Sequence, residues 1–286
     1  MHAQVVLTPA ESKRIIAKGV VKMNVVQEAF RKGIVVISVG TTCLCVLEEL
    51  LKQQLGPVEN YLSGVILPER TCSLTGTRQD IVSRGYAPFW AFEGGKMISN
   101  VSLRDLLSRM SSSDVFIKGA NAIDPRRRAG VLLGSPTGGT IGIAMPAILA
   151  RGINLIIPVG LEKMIPTPIE IASKEAGIQR MNYSRGLPVG LMPLPGMVIT
   201  EIEAIALLTG AQAIPIAAGG ISGAEGSVLL VVKGADRQVK QAIKIIETIS
   251  GGKGPQISTP DCTRCKILIC PYAKRQKLKK EKEEKF

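Results

Sequence analysis

Short, uninterrupted aliphatic runs recur along the first two thirds of the chain and alternate with segments of helical spacing. The runs at 34–39 (IVVISV), 114–118 (DVFIK) and 154–159 (NLIIPV) carry apolar side chains at successive positions rather than at alternate ones. A strand of this kind has both faces buried, which is typical of a parallel sheet covered by helices. The sequence therefore predicts an α/β fold with a doubly wound, mostly parallel sheet and helices on both faces.

Capping residues and chain breakers predict the helices between these runs. Thr8, Pro9 and Glu11 form a capping box with proline in the first turn, which predicts a helix to about residue 31. Other helices are expected at 43–55, 138–151 and 167–176, and other strands at 61–67 and 87–92. Only 3% of the residues are aromatic, so the core has to be aliphatic.

The pattern changes after Pro195. A strand at 197–200, a helix at 201–208, strands at 211–217 and 227–233, and a helix at 235–250 give the order βαββα, most of a ferredoxin-like unit. We expect an α/β ligand-binding domain at 1–195, a small ferredoxin-like α+β domain at 196–252, and a linker and Cys/Lys-rich tail at 253–286. Because such small sheets often pack against a copy of themselves, we also expect a homo-oligomer.

The histidine content excludes several enzyme classes. The only histidine is His2, next to the N-terminus. Ser-His-Asp and Cys-His hydrolases, His-ligated zinc enzymes and enzymes with a histidine general base would all depend on this one residue. The sequence therefore argues against all of them.

The charge indicates an anionic partner. The net charge is +13, which suits phosphorylated or carboxylate ligands. Few aromatic residues are present to stack on bases, so nucleic acid is not the expected partner. The Lys-rich tail (274–286) is interpreted as a solvated helix.

One uncharged stretch, 129–150, is long enough to cross a bilayer. Its GSPTGGT segment is too polar for a hydrocarbon environment, so no membrane span is predicted. The N-terminus also has no basic region followed by an apolar stretch, and we expect a cytoplasmic protein.

Three Gly-rich loops follow predicted strands and are candidates for anion binding. They contain Gly40, Thr41 and Thr42; Gly119, Asn121 and Asp124; and Ser135, Gly138, Gly139 and Thr140. Ligands of open α/β sheets bind outside the carboxyl ends of the strands, where these loops begin. The alternatives are a helix cap at Thr42 and an Asx turn that leads into Asp124-Pro125.

Together these loops resemble the superfamily of ribose-5-phosphate isomerase, glucosamine-6-phosphate deaminase and the CoA-transferases. The likeness lies in a strand ending in GTT, then DVFIKGANAID, then GGTIGIAMPAILARGINLIIPVG, and covers residues 30–165. The segment ERTCSLTGTR (69–78) is similar to one in the methylthioribose-1-phosphate isomerase and initiation factor 2B branch.

The resemblance implies roles for particular residues. Thr41, Thr42, Gly139 and Thr140 would hold the ligand, and Arg70 and Arg78 would contact its phosphate or carboxylate group. The isomerases place Asp where this chain has Asn121, and an amide does not transfer protons as a carboxylate does. Asp124 is then the remaining general base. Cys72 is either an acid or nucleophile, or simply packed.

Three cysteines near the C-terminus form a separate candidate site. Cys262, Cys265 and Cys270 have CxxC spacing, and Cys270 precedes a proline, as in ferredoxin-type cluster ligation. They could bind an iron–sulfur cluster or zinc, with a fourth ligand from Cys72, from Cys43 or Cys45, or from outside the chain. The alternatives are a reduced or redox-active tail and an adventitious disulfide.

Three hypotheses follow. The chain is an isomerase-like or transferase-like enzyme acting on a phosphorylated metabolite, a non-catalytic module that senses such a ligand, or an iron–sulfur or zinc protein that acts through its C-terminal cysteines.

Overall fold

The computed structural model describes residues 1–55, 62–72, 89–252, 254 and 260–283, with side chains as far as 278. The helices in this part of the chain are α1 (Pro9–Lys22), α2 (Asn24–Lys32), α3 (Thr41–Leu51), α4 (Leu103–Arg109), α5 (Gly139–Arg151), α6 (Ile169–Glu175), α7 (Glu201–Thr209), α8 (Asp236–Ile249) and α9 (Pro271–Glu283). Single 3₁₀ turns lie at Leu161–Lys163 and Cys262–Arg264.

The strands are short and form several sheets. They are β1 (His2–Leu7), β2 (Ile34–Ser38), β3 (Val65–Leu67), β4 (Arg70–Cys72), β5 (Phe89–Glu93), β6 (Lys96–Ile98), β7 (Val115–Ile117), β8 (Ala122–Ile123), β9 (Ala129–Leu133), β10 (Asn154–Pro158), β11 (Gly190–Leu194), β12 (Met197–Ile199), β13 (Gln212–Gly219) and β14 (Ser227–Lys233).

The largest sheet has six strands in the order β12-β10-β7-β2-β5-β6. The first four are parallel to one another. At one edge of the sheet, β5 pairs antiparallel with β2, and β6 pairs antiparallel with β5. The two-residue turn between β5 and β6, Gly94-Gly95, has φ values of 56° and 77°, as a tight hairpin requires. The predicted α/β class is confirmed, and the large sheet is mixed.

Aliphatic side chains cover both faces of this sheet. In β2, Val35 and Ile37 belong to the cluster shared with α1, α3 and α7, whereas Ile34 and Val36 pack with α4 and α5. Successive side chains of a strand point to opposite faces, so an all-apolar strand fills two cores at once. This packing explains why the three runs that identified the sheet contain almost no polar residue.

The small sheet differs from the predicted ferredoxin-like unit, which is not confirmed. Strand β12 pairs with β10 in the large sheet, and the N-terminal strand β1 pairs antiparallel with β14 instead. The small sheet therefore has the order β1-β14-β13. One aliphatic cluster contains residues from both sides of position 195, the predicted boundary between the first two domains. Whether the segments on the two sides fold independently stays a prediction.

The uncharged stretch 129–150 is split between two elements. Its first part is β9, which lies between β11 and β8 in a small antiparallel sheet, and its second part belongs to α5. Helix α5 starts at Gly139 and continues through Pro146, which lies inside it. No helix in the described part of the chain combines the length and the apolar character that a bilayer span needs.

Candidate functional site

A cavity of about 670 Å³ lies at the carboxyl ends of the adjacent parallel strands β2 and β7. Ser38 and Lys118, which close these two strands, form part of its lining. Other parts of the wall come from β9, from the start of α5, from the β3–β4 hairpin and from residues 266–269 of the tail. The cavity therefore lies where the sheet topology places ligand sites.

The start of α5 contributes backbone donors to the cavity. Gly138 precedes the helix with φ of 77° and supplies no capping side chain, and Gly139 follows with φ of 58°. A Cβ at Gly142 would lie 2.5 Å from the carbonyl oxygen of Thr137, so the loop packs directly on the first helical turn. The first N–H groups of a helix have no intrahelical acceptor, and together with the helix dipole they favour a bound anion.

Lys118 brings a cation into the same cavity. Burial lowers the pKa of its ammonium, and the nearby Cys43 thiol partly opposes this shift. Within the described residues the ammonium has no carboxylate partner and no hydrogen-bond acceptor, although it lines the cavity. A partly desolvated cation without a counter-ion is stabilised by any anion that enters.

Cys43 and Lys163 lie behind this site rather than in its lining. Burial raises the pKa of the Cys43 thiol, which Lys118 partly offsets, and the sulfur is 4.0 Å from the Ser38 hydroxyl. Burial also lowers the pKa of Lys163, but its ammonium donates to the carbonyl oxygen of Ala120 at 2.8 Å. Lys163 therefore has the partner that Lys118 lacks.

The loop Gly40-Thr41-Thr42 is not among the described residues that line this cavity. Thr41 instead lines a second cleft of about 780 Å³ between α1, α3 and the end of α8. Thr42 is buried, and its hydroxyl has no partner in the described part of the chain. The loops predicted to hold one ligand thus face two separate cavities.

The second cleft contains both cations and carboxylates. The Arg14 guanidinium lies 2.5 Å from a Glu48 carboxylate oxygen, and the Lys18 ammonium lies 3.1 Å from Glu49. These carboxylates neutralise two of the cations that face the cleft. Lys13 and Lys52 also line this cleft, so the cavity at Lys118 differs in the desolvation of its cation, whose pKa burial lowers.

Asn121 and Asp124, the predicted polar pair, have different surroundings. The Asn121 side-chain oxygen Oδ1 accepts the N–H of Leu132 at 3.0 Å, and Asn121 lines the cavity. Asp124 is fully buried, is not among the described lining residues, and accepts the N–H groups of Arg128 and Ile169, each at 3.0 Å. Burial opposes ionisation of Asp124, but its backbone hydrogen bonds outweigh that effect and lower its pKa. The Asp124 carboxylate therefore holds a turn together by accepting backbone hydrogen bonds; we call this role a turn anchor.

Several other predicted residues do lie at the cavity. Ser135, Gly138, Gly139 and Thr140 line it from the α5 side, and Cys72 lines it from the hairpin. Gly119 follows Lys118, and a Cβ there would lie 3.7 Å from the Cys43 sulfur. Arg78 falls outside the described residues. That the residues named in this paragraph contact a ligand stays a prediction.

Arg70 is directed toward the tail. Its side chain is only 8% exposed, its Nη2 atom donates to the carbonyl oxygen of Pro260 at 3.3 Å, and its guanidinium stacks on the Tyr272 ring with 4.8 Å to the centroid. Its Nε atom has no partner among the described residues. The hairpin and the C-terminal tail are therefore joined at this arginine.

The four cysteines of the hairpin and tail lie near one another. Burial and the neighbouring thiols of Cys262, Cys265 and Cys270 raise the pKa of Cys72 to about 11, and Arg70 only partly offsets this. A thiol with this pKa is protonated at neutral pH, which does not favour Cys72 as a nucleophile. All four are free cysteines. In the described residues, no three His, Cys, Asp or Glu side chains converge as a single metal ion requires.

No sequence motif identifies Lys118 as a candidate binding residue. In the sequence it is only the charged end of the run DVFIK, and a lysine after a strand is usually a solvated side chain. A charge that directly follows a fully apolar strand at the carboxyl edge of a parallel sheet is the signal that could have identified it.

Comparison with known proteins adds no precedent for the site, since no family model, curated protein or solved structure matches this chain.

Proposed function

We propose that the chain binds a small anionic, phosphorylated metabolite in the cavity at the carboxyl ends of β2 and β7. The observation that carries this proposal is the Lys118 ammonium, which has no counter-ion in the described residues and shares the cavity with the α5 N-terminus. A cation and free backbone N–H groups are the two features that anion sites of α/β proteins combine.

The size and the lining support a metabolite rather than a bare ion. A volume of about 670 Å³ is within the range of small-molecule sites. Val131, Leu133 and Ile141 provide apolar wall beside the Gly138–Thr140 loop. A phosphate at the helix start would leave room for an organic part of the ligand along β9. The resemblance to the sugar-phosphate isomerase and CoA-transferase superfamily supports the same ligand class.

Ligand sensing without turnover is the second candidate, and the environments of two polar residues favour it. Asn121 cannot act as a proton acceptor, and both carboxylate oxygens of Asp124 accept backbone hydrogen bonds. In an isomerase-like or transferase-like reaction, Lys118 would be the proton acceptor that lies in the cavity, since burial lowers the pKa of its ammonium.

Calorimetric titration with ribose 5-phosphate, glucosamine 6-phosphate, acetyl-CoA and inorganic phosphate tests the binding proposal. Lys118→Met should weaken binding about 10- to 100-fold, the effect of losing one charge-assisted hydrogen bond of about 1.5–3 kcal/mol. Its thermal stability should not fall, because the buried cation has no partner to lose. Lys13→Met, in the second cleft, is the matched control and should bind as the wild type does.

Two results would count against this proposal. Unchanged affinity in Lys118→Met with lost affinity in Lys13→Met would place the ligand in the second cleft. No binding of any of these anions by the wild type would remove the proposed ligand class. Once a ligand is found, turnover by the wild type that Lys118→Met abolishes would separate the enzyme from the sensor.

A further inference from the structure

The β3–β4 hairpin and the C-terminal tail meet at one end of the cavity. The carbonyl oxygen of Pro260 accepts from Arg70 at 3.3 Å and from the Cys262 thiol at 3.7 Å, so these two side chains share one acceptor. The Tyr272 hydroxyl donates to Glu69 of the hairpin at 2.9 Å. These contacts attach the hairpin to both ends of the cysteine-bearing segment 262–270.

Cys72 is directed toward the same place. It lies two residues after Arg70 on β4, and residues i and i+2 of a strand share a face. Thr71 accepts the N–H of Leu187 at 3.0 Å and donates its hydroxyl to the Leu187 carbonyl oxygen at 2.7 Å. Leu187 in turn packs in one small cluster with Cys265 and Cys270. The hairpin and tail therefore place Cys72 in the same neighbourhood as the three tail cysteines.

We propose that Cys72, Cys262, Cys265 and Cys270 together ligate a four-iron, four-sulfide cluster in the wall of the cavity. The tail supplies three ligands with CxxC spacing and a Cys-Pro closure, and β4 supplies the fourth. Among the fourth ligands that the sequence allowed, the structure favours Cys72, because Cys43 and Cys45 lie on α3 and pack in the main aliphatic core.

The proline that follows Cys270 favours a cluster over a single zinc ion. A cysteine followed by proline is typical of iron–sulfur ligation, whereas a zinc site needs only four ligands about 2.3 Å from one ion. The described residues contain no group of three side chains placed to hold one metal ion. Sulfide content therefore distinguishes a cluster from zinc in the test below.

The charges around the four cysteines suit an anionic cluster. Arg70 is buried, and its Nε atom, which has no partner in the described part of the chain, is a free donor beside the cysteines. The Lys277 ammonium lies on the tail and donates to the Cys265 carbonyl oxygen at 2.6 Å. Positive charge and hydrogen bonds near the sulfur atoms stabilise a cluster and raise its reduction potential.

Iron and acid-labile sulfide analysis of the full chain, reconstituted anaerobically with ferric iron, sulfide and dithiothreitol as the reductant, tests this proposal. We expect about four iron and four sulfide per chain and a broad visible absorption band that dithionite bleaches. Cys72→Ser and Cys265→Ser should each lose most of the iron and sulfide. Cys45→Ser is the matched control, a half-buried cysteine on α3, and should retain both.

Circular dichroism and thermal unfolding of each variant separate cluster loss from unfolding, because the two main cores contain none of these four cysteines. Arg70→Gln should keep the cluster but lower its reduction potential or make it more sensitive to air. Bound zinc without sulfide, four free thiols after reconstitution, or full iron content in folded Cys72→Ser would each overturn the proposal. None of these results bears on whether Lys118 binds an anion.

Discussion

At the scale of single residues, the surroundings of a side chain decide its role more than its chemical type does. Lys118 and Lys163 are both desolvated lysines, but only Lys163 has a hydrogen-bond acceptor in the described residues, the carbonyl oxygen of Ala120. Asp124 has the residue type of a general base, yet its oxygens hold a turn together. Each assignment leads to a measurable difference in stability or binding.

Asp124→Asn should lower the free energy of unfolding by about 1–3 kcal/mol, since the amide NH₂ group cannot accept the second backbone N–H. Because hydrogen bonds lower the pKa of Asp124, its stabilising contribution is present above the unfolded-state pKa and is lost as the pH falls through the folded one. Denaturant titration measures the loss. Abolished anion binding with unchanged stability would contradict the turn-anchor assignment.

Glu201 should make the protein less stable as the pH rises. Burial raises the pKa of this carboxyl from 4.5 to about 7, although the hydroxyl of Ser12 and the N–H of Leu161 oppose the shift. The folded state therefore holds its proton more tightly, so this stabilising contribution is complete below pH 4.5 and is lost between pH 4.5 and about 7.

Glu201→Gln removes this titration and should flatten the stability curve over that range. Denaturant midpoints measured at several pH values check the expectation. A curve with the same slope in the variant and the wild type would show that Glu201 is not the group responsible.

At the scale of elements, the start of α5 is the most constrained segment of the cavity. Alanine normally stabilises a helix by about 1 kcal/mol relative to glycine. At Gly142 a Cβ would lie 2.5 Å from the Thr137 carbonyl oxygen, so the loop that leads into α5 has to move. The clash should outweigh the helix propensity.

Gly142→Ala should therefore lower the free energy of unfolding by about 1–3 kcal/mol and weaken anion binding at the same time. Gly190→Ala is the control, because a Cβ there meets Leu133 at an ordinary 3.7 Å. Thermal unfolding and calorimetry measure the two effects. A Gly142→Ala variant that is more stable than the wild type would show that the loop does not pack as described.

At the scale of the whole molecule, the N-terminal strand belongs to the core rather than to a frayed end. Strand β1 pairs with β14 over its full length, and Leu7 is fully buried in the cluster shared with α1 and α8. Val6, its neighbour, points the other way and is 55% exposed.

Leu7→Ala should cost about 2–5 kcal/mol of unfolding free energy, whereas Val6→Ala should change it by less than about 0.5 kcal/mol. Chemical denaturation of both variants checks the contrast. Equal small effects at the two positions would mean that β1 does not contribute to the stability of the core.

The amino-acid sequence by itself determined the class of the fold, most of its helices and strands, and the edge of the sheet where the cavity lies. Aliphatic runs, glycines and capping residues act over a few neighbouring positions, so β2, β7, β10 and the start of α5 were predictable from local pattern alone. The same local signals indicated the Gly138–Thr140 loop as an anion-binding segment.

Only the tertiary structure decided which strands pair and which loops share a cavity. The sequence pattern placed β12 with the small sheet and predicted no strand at the N-terminus, but the choice between partners depends on packing between residues far apart in the chain. The isolation of Lys118 and the approach of Cys72 to the tail cysteines arise in the same way. Unpaired charge and proximity are properties of the folded arrangement, because even a carboxylate near in sequence, such as Asp124, is turned to other partners in the fold.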